Sequence, residues 1–324
     1  MGASLLVVIL MVLSASANNI NEQCKIHNGT RIMCSCIGNE EFLLPDEYNY
    51  INIVSVTIAG CRSVNLHYSS LPEATGLKEI TVQNISDSLN FDVYITSNKM
   101  KMIKLSDIGW IPSIMSHTFI SLTSIDMLII ENTHIIDFKE NFSYVNVSHF
   151  VMRNVTIEHV NQLNLPENGR TLYIMDSELW NITTSLTFTN IHIIEIINSK
   201  FRLQKSNLVS ILGDNVAVKD SVFLDSSMSL NAATATVHGI CADGKSTLRL
   251  SSNVIDSINN RLPNEIVYLT RDNRPAMPGS FLNQNNTVCK AGNCKCLKIS
   301  GQAPYFAAHV SLLIVGCLLI SLFR

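Results

Sequence analysis

Residues 238–247, HGICADGKST, place Gly239 ahead of Gly244, Lys245 and Ser246. This is the spacing G-x-x-x-x-G-K-[ST], in which backbone N–H groups, a lysine and a hydroxyl hold nucleotide phosphates and magnesium. That chemistry needs a strand before the glycines and a helix after them, with the phosphates at the helix N-terminus. TATVH at 234–238 supplies a strand, but Ser246 is followed by LRLSSNVIDSI, which has strand and turn signals and no helical period. No hydrophobic strand ending in Asp offers a magnesium ligand. Nucleotide is not expected, and the stretch reads as a loop tethered through Cys241.

Thiolates are the second candidate chemistry. Cys24, Cys34, Cys36 and Cys61 form one cluster, Cys241, Cys289, Cys294 and Cys296 another, and Cys317 lies in a terminal apolar tail. C-S-C and C-K-C resemble ligand pairs, but zinc sites use C-x₂₋₄-C with a second pair at a fixed distance, and neither cluster has that. The eight therefore read as four disulfides formed in an oxidising compartment, with three connectivities open for each set of four. No metal and no cofactor is expected.

Acid–base chemistry finds no cluster in the sequence. His134, His149, His159 and His192 are scattered, and Lys104, Glu131, Arg153, Glu195 and Lys219 are isolated charges at outward strand positions. Lys219 and Asp220 adjoin as a solvated pair. The G-x-S-x-G, H-E-x-x-H, G-x-G-x-x-G and EF-hand patterns are absent. The expectation is a protein that is not an enzyme.

The ends of the chain place it. Leu5 to Leu13 is apolar and is followed by Ala15-Ser16-Ala17, the pattern of a cleaved secretory signal. Tyr305 to Phe323 is almost wholly apolar, and Ser300, Gly301 and Ala303 precede it as small residues. This is the layout of a glycosylphosphatidylinositol attachment signal at Ser300 or Gly301, with a plain membrane-spanning helix as the alternative. Sequons N-x-[ST] occur at Asn28, Asn84, Asn141, Asn146, Asn154, Asn181 and Asn285, so a glycan-coated surface is expected. A net charge of −3 and a pI near 6.3 give no basic face for nucleic acid.

Between the ends runs a repeat. Anchors at Val56, Ile80, Ile103, Leu128, Phe150, Leu172, Ile194, Val216 and Leu248 are spaced by 24, 23, 25, 22, 22, 22, 22 and 32 residues. Each begins an apolar-x-apolar strand whose two apolar side chains point the same way. A small polar residue usually follows at +4 and turns the chain, because Asn and Asp tolerate left-handed backbone. The residue at +5 then faces inward: Ser177, Ser199, Ser221, Thr133 and Asn253 are expected to stack and satisfy buried backbone groups, and Ile85, Ile108 and Val155 to fill the core. One unit cannot bury its own apolar face, so the units must stack as a solenoid. The last spacing reads as an insertion of about ten residues over the 22-residue rule.

The runs INSKF, KDSVF, MDSEL and ENTHI resemble the repeats of right-handed parallel β-helix proteins. That resemblance implies an all-β solenoid of about nine coils of 22–25 residues. Leucine-rich repeats of cell-surface proteins are the alternative, because apolar residues stand at −3 (Ile53, Leu77, Met100, Ile125, Val147, Ile191) and FISLTSIDMLII at 119–130 fits them. The organisation expected is a signal peptide at 1–17, an N-terminal disulfide cap at 18–50, repeats at 51–260, a C-terminal disulfide cap and stalk at 261–301, and an anchor signal at 302–324. A membrane-tethered glycoprotein at the extracellular side of the plasma membrane follows, using the solenoid to recognise an extracellular protein or glycan. The alternatives are a polysaccharide lyase or hydrolase, which β-helix folds also host, and a passive coat or matrix component. Trp110 and Trp180 mark a binding surface if they lie on a face free of sequons.

Overall fold

The computed structural model describes residues 23–36, 41–44, 49–165, 169–204, 207–272, 274, 281–290, 292–294 and 296. The stretch read as a signal peptide, Ser300 and Gly301 and the terminal apolar tail lie outside the described residues. The described residues form 23 strands and one short 3₁₀ turn, Phe142–Tyr144. The chain through Cys294 is one compact unit, a parallel β-solenoid.

Each coil begins on what we term face 1. Its central residues, inward-facing through Ile255, pair in register from coil to coil: Ile32, Val56, Ile80, Ile103, Leu128, Phe150, Leu172, Ile194, Val216, Ala235, Ile255 and, by its backbone, Phe281. Twelve rungs make eleven turns, against the nine coils read from the sequence. All rungs through Ile255 are at most 2% exposed. The anchors from Val56 to Val216 stand in the register that the spacing implies. The solenoid also continues into both cysteine-rich regions, where Ile32 and Phe281 continue the ladder.

Face 2 follows a corner and stacks Ile111, Ile135, Ile157, Leu179, Phe201, Phe223 and Ala242. Face 3 closes the coil in the second half of the molecule, with Leu186, Val209, Met228 and Leu248 in one ladder. In the first half that side is made of turns carrying Phe119 and Phe142, whose rings stack at 5.5 Å. From Leu186 on, strands therefore stand on three sides of each coil.

The corner between faces 1 and 2 explains the polar residue at +4. Gly60, Asn84, Asp107, Asn132, Asn154, Asp176, Asn198, Asp220, Gly239, Asn259 and Asn285 all have φ between 47 and 70°. Apart from Gly, Asn and Asp are the residues that visit this region routinely, because a short polar side chain can bond locally. Here they also bond to one another. Asn132 Nδ2 donates to Asp107 Oδ1 at 2.8 Å, Asn154 to Asn132 at 2.9 Å, and Asn198 to Asp176 at 2.7 Å.

One residue on, the chain points inward. Ser177, Ser199 and Ser221 are buried, and each hydroxyl accepts the N–H of the residue one coil earlier: Val155, Ser177 and Ser199, at 3.1–3.2 Å. Asn260 and Asn286 extend the ladder, accepting from Ile240 and Asn260 at 2.9 and 2.8 Å. Thr133 is buried and donates to Glu131 O at 2.8 Å. Ile85, Ile108 and Val155 are buried as expected. Asn253 is exposed and does not join this stack.

Asn253 and the 32-residue spacing share one correction. Leu248 belongs to face 3, paired with Met228, and the rung that follows Val216 on face 1 is Ala235, then Ile255. The true steps are 19 and 20 residues (235 − 216 and 255 − 235), so there is no insertion. Leu248-x-Leu250 has the same apolar-x-apolar pattern as a face 1 strand, while the true anchor is an alanine. The glycine motif is therefore one ordinary coil. Gly239 is its first corner, Cys241–Asp243 its face 2 strand and Gly244 its second corner. A Cβ on Gly239 would lie 2.5 Å from Asp220 Oδ1, and one on Gly244 would overlap Asp225 Oδ1. Both glycines have a positive φ, and any side chain there would have to displace the Asp carboxylate of the preceding coil.

Candidate functional site

Within the solenoid the oxidised cysteines lie in its first coils, at Cys24, Cys34, Cys36 and Cys61, and in its last ones, at Cys241, Cys289 and Cys294. Cys24 is joined to Cys34 across an antiparallel hairpin, Cys36 to Cys61, and Cys289 to Cys294. Cys241 and Cys296 are disulfide-bonded as well. Cys241 Sγ lies 3.9 Å from Cys294 O. These bonds fit an oxidising compartment. Among the described residues, no group of three or more His, Cys, Asp or Glu side chains could hold a metal.

The sequon asparagines fall on the corners and on two sides of the rod. Asn84, Asn154 and Asn285 occupy the left-handed corner between faces 1 and 2, where their side chains are exposed. Asn28 is exposed at the hairpin tip between Cys24–His27 and Arg31–Ser35. Asn181 sits on face 2, half-buried, and its Nδ2 donates to Glu158 O at 3.1 Å. Asn141 and Asn146 are half-buried on the side that leads back to face 1. The outward positions of face 1, from one residue before the anchor to three after it, carry no sequon.

Those positions hold a patch with a distinct composition. The central outward column reads Lys104, Ile129, Val151, Tyr173 and Glu195 on successive rungs. One flanking column reads Met102, Met127, His149, Thr171 and Ile193, and the other Ser106, Glu131, Arg153, Met175 and Ile197. Met127 is 39% exposed, and most of the others are half-buried against their ladder neighbours. Strand formation does not require apolar residues here, because the same central column carries Thr57 and Thr81 before the patch and Ala217 and Thr236 after it. In the central column the large apolar side chains are therefore confined to three successive rungs, Ile129, Val151 and Tyr173, with Lys104 and Glu195 at either end.

Charge on the patch is sparse and ordered. Lys104 Nζ lies 3.8 Å from Glu131 and Arg153 Nη1 3.7 Å from the same carboxylate. Among the described residues no basic group pairs with Glu195. His149 shares a hydrogen bond of 2.9 Å with Thr171. Lys219 lies beyond the patch on the Ile197 column, and Asp220 belongs to the corner ladder.

The remaining residues singled out by sequence lie elsewhere. Trp110 and Trp180 are on face 2, the side that bears Asn181, so the tryptophans and the sequon-free face do not coincide. Trp110 Nε1 donates to Asp87 at 3.2 Å. His134 and His192 bridge coils to Glu158 and Asp214, each at 2.8 Å, and His159 contacts the Asn181 amide at 3.3 Å. Sequence reasoning missed Glu140. It is 2% exposed, burial pushes its carboxyl up to about 8, and its Oε2 has no hydrogen-bond partner. The backbones of Asn141 and Phe119 hydrogen-bond to its carboxyl, and nothing in the sequence distinguishes it from a solvated glutamate. A cavity of about 320 Å³ lies at the last coil, lined in part by Leu262, Ile266, Tyr268 and Asn286. Burial there raises the Tyr268 hydroxyl above its ordinary value, against the lowering effect of its hydrogen bonds to Ser257 and Asn286.

No family model, no curated protein and no solved structure matches the chain.

Proposed function

We propose that the protein is a glycosylated, membrane-tethered rod of the extracellular surface whose face 1 recognises another protein. The observation that carries this reading is the apolar, sequon-free patch from Met102 to Ile197, bounded by polar rungs on the same sheet. Glycans at Asn84, Asn154 and Asn181 would cover face 2 and its corner, leaving face 1 as the flat surface open to a macromolecule. Disulfides at both ends suit the extracellular side. A flat sheet of half-buried apolar and paired polar groups favours a recognition role over a polysaccharide lyase or hydrolase, whose work needs converging acidic and basic groups.

The test places a glycan on the patch. Tyr173→Asn with Met175→Thr creates a sequon on face 1 of the full-length chain displayed on cultured cells. Adhesion of displaying cells to one another and to untransfected cells is measured beside the wild type. The expected result is adhesion by the wild type and its loss with the added glycan, at equal surface display. Adhesion that survives the glycan, or no adhesion by the wild type in either setting, overturns the assignment.

A further inference from the structure

We infer that the partner of face 1 is face 1 of a second copy, the two rods lying antiparallel. The inference rests on the proposed recognition role of this face and follows from the order of its residues.

The central column Lys104–Ile129–Val151–Tyr173–Glu195 is complementary to its own reverse. An isologous interface is generated by a two-fold axis, which makes residue i meet residue j and residue j meet residue i. Consider that axis lying in the interface along the central rung, 149–153. It reverses the order of rungs and keeps each column opposite itself. Lys104 then faces Glu195 of the second copy and Glu195 faces Lys104, so the contact forms twice. Ile129 faces Tyr173, Val151 faces Val151, and in the flanking column Met102 faces Ile193. Apolar groups oppose apolar groups in the centre, and the two charge pairs close its ends.

The charges of the isolated chain support this arrangement. The patch carries Lys104, Glu131, Arg153 and Glu195, which sum to zero, so joining two copies accumulates no net charge. Glu131 already serves two cations, at 3.8 and 3.7 Å, and Lys104 can leave it to Arg153. Glu195, with which no basic group pairs among the described residues, gains a cation. Arg153 meets Arg153 on the axis, with a Glu131 from each copy one rung away on either side. His149 meets His149 at the other edge, each bonded to its own Thr171.

Rungs about 4.8 Å apart and residues about 3.3 Å apart give five rungs by five residues an area of roughly 300–400 Å² per copy. Two copies bury well under the ~1,600 Å² of a standard stable interface. The contact is weak between free molecules, and many copies on apposed membranes make it effective by multivalency.

Charge reversal provides the test, using the full-length chain displayed on cells. Lys104→Glu leaves two acidic groups facing each other at both ends of the dimer, and Glu195→Lys leaves two basic ones. Cells bearing either variant alone are expected to lose aggregation by tenfold or more relative to wild type. Mixed with each other, the two differently labelled populations are expected to form joint aggregates at the wild-type level. In a mixed pair one end holds the new carboxylate of Lys104→Glu against the new ammonium of Glu195→Lys, and the other end holds the native Glu195 of the first variant against the native Lys104 of the second. That recovery also shows that both variants are folded. Aggregation of either variant alone at the wild-type level, or failure of the mixture, overturns the self-pairing. If the added glycan on face 1 still abolishes adhesion in that case, the face keeps its recognition role with a different partner.

Discussion

Glu140 is the clearest case of a residue whose environment works against its charge. Its carboxyl has an ordinary value of 4.5, is raised to about 8 by burial, and is only partly relieved by the N–H groups of Asn141 and Phe119. Between those two values the folded chain holds a proton that the unfolded chain has released. The contribution of this group to stability is therefore fully present below about pH 4.5 and is lost as pH rises towards 8. Glu140→Gln is expected to raise stability near neutrality by about 1–3 kcal/mol and to flatten the pH dependence across that interval, measured by urea denaturation at several pH values. The inner serines work in the opposite sense, since their polar groups are buried and satisfied. Ser199 Oγ accepts the Ser177 N–H at 3.2 Å and donates to Ile197 O at 2.8 Å. Ser199→Ala leaves a buried N–H without an acceptor and is expected to cost about 1–3 kcal/mol in the same measurement. Ser210→Ala, at an outward position of face 3, should stay within about 0.5 kcal/mol.

The corner is the element that makes a coil, and Gly239 shows what it requires. At φ 65° a Cβ is disfavoured by about 1–2 kcal/mol, and here it would also meet Asp220 Oδ1 at 2.5 Å. Gly239→Ala is expected to destabilise by more than the backbone term alone, and Asp220→Ala in the same chain to recover the steric part, a coupling visible in a double-mutant cycle of denaturation midpoints. The corner was also the part of the fold most legible in the sequence, because few residue types tolerate its backbone and the same position recurs at +4 of every face 1 anchor from Val56 on. Legibility failed where residue type no longer separates the faces. Ala235 is an anchor with little apolar signal, and Leu248-x-Leu250 on face 3 carries the pattern of face 1. The face 1 patch was read only as isolated charges: the anchor spacing already places Lys104, Ile129, Val151, Tyr173 and Glu195 at +1 of successive repeats, but their exposure and ion pairs depend on how the coils pack. Glu140 had no sequence signal, because its burial arises only when its turn packs against the coil that carries Phe119.

At the scale of the whole molecule each coil meets only its two neighbours, so stability is close to a sum of coil and interface contributions. The run of 22-residue steps makes this testable by removing one coil in register. Deleting residues 172–193 joins Thr171 to Ile194, which hold successive positions of the same strand because Leu172 pairs with Ile194. The new interface uses residue types the ladders already accept: Phe150 against Ile194, Ile157 against Phe201, and Ser199 taking the place of Ser177 beneath the Val155 N–H. The shortened chain is expected to fold with an unchanged β-type circular dichroism spectrum. The dependence of its stability on urea should fall by roughly a tenth, since that slope follows the surface exposed on unfolding and one coil in about eleven is gone. Deleting only residues 172–182 removes half a coil, brings residues of one face onto another and turns inward side chains outward, because strand alternation has a period of two. That variant is expected to be unfolded or aggregated. If both deletions fold alike, the solenoid register does not govern stability; if neither folds, the coils are not independent units.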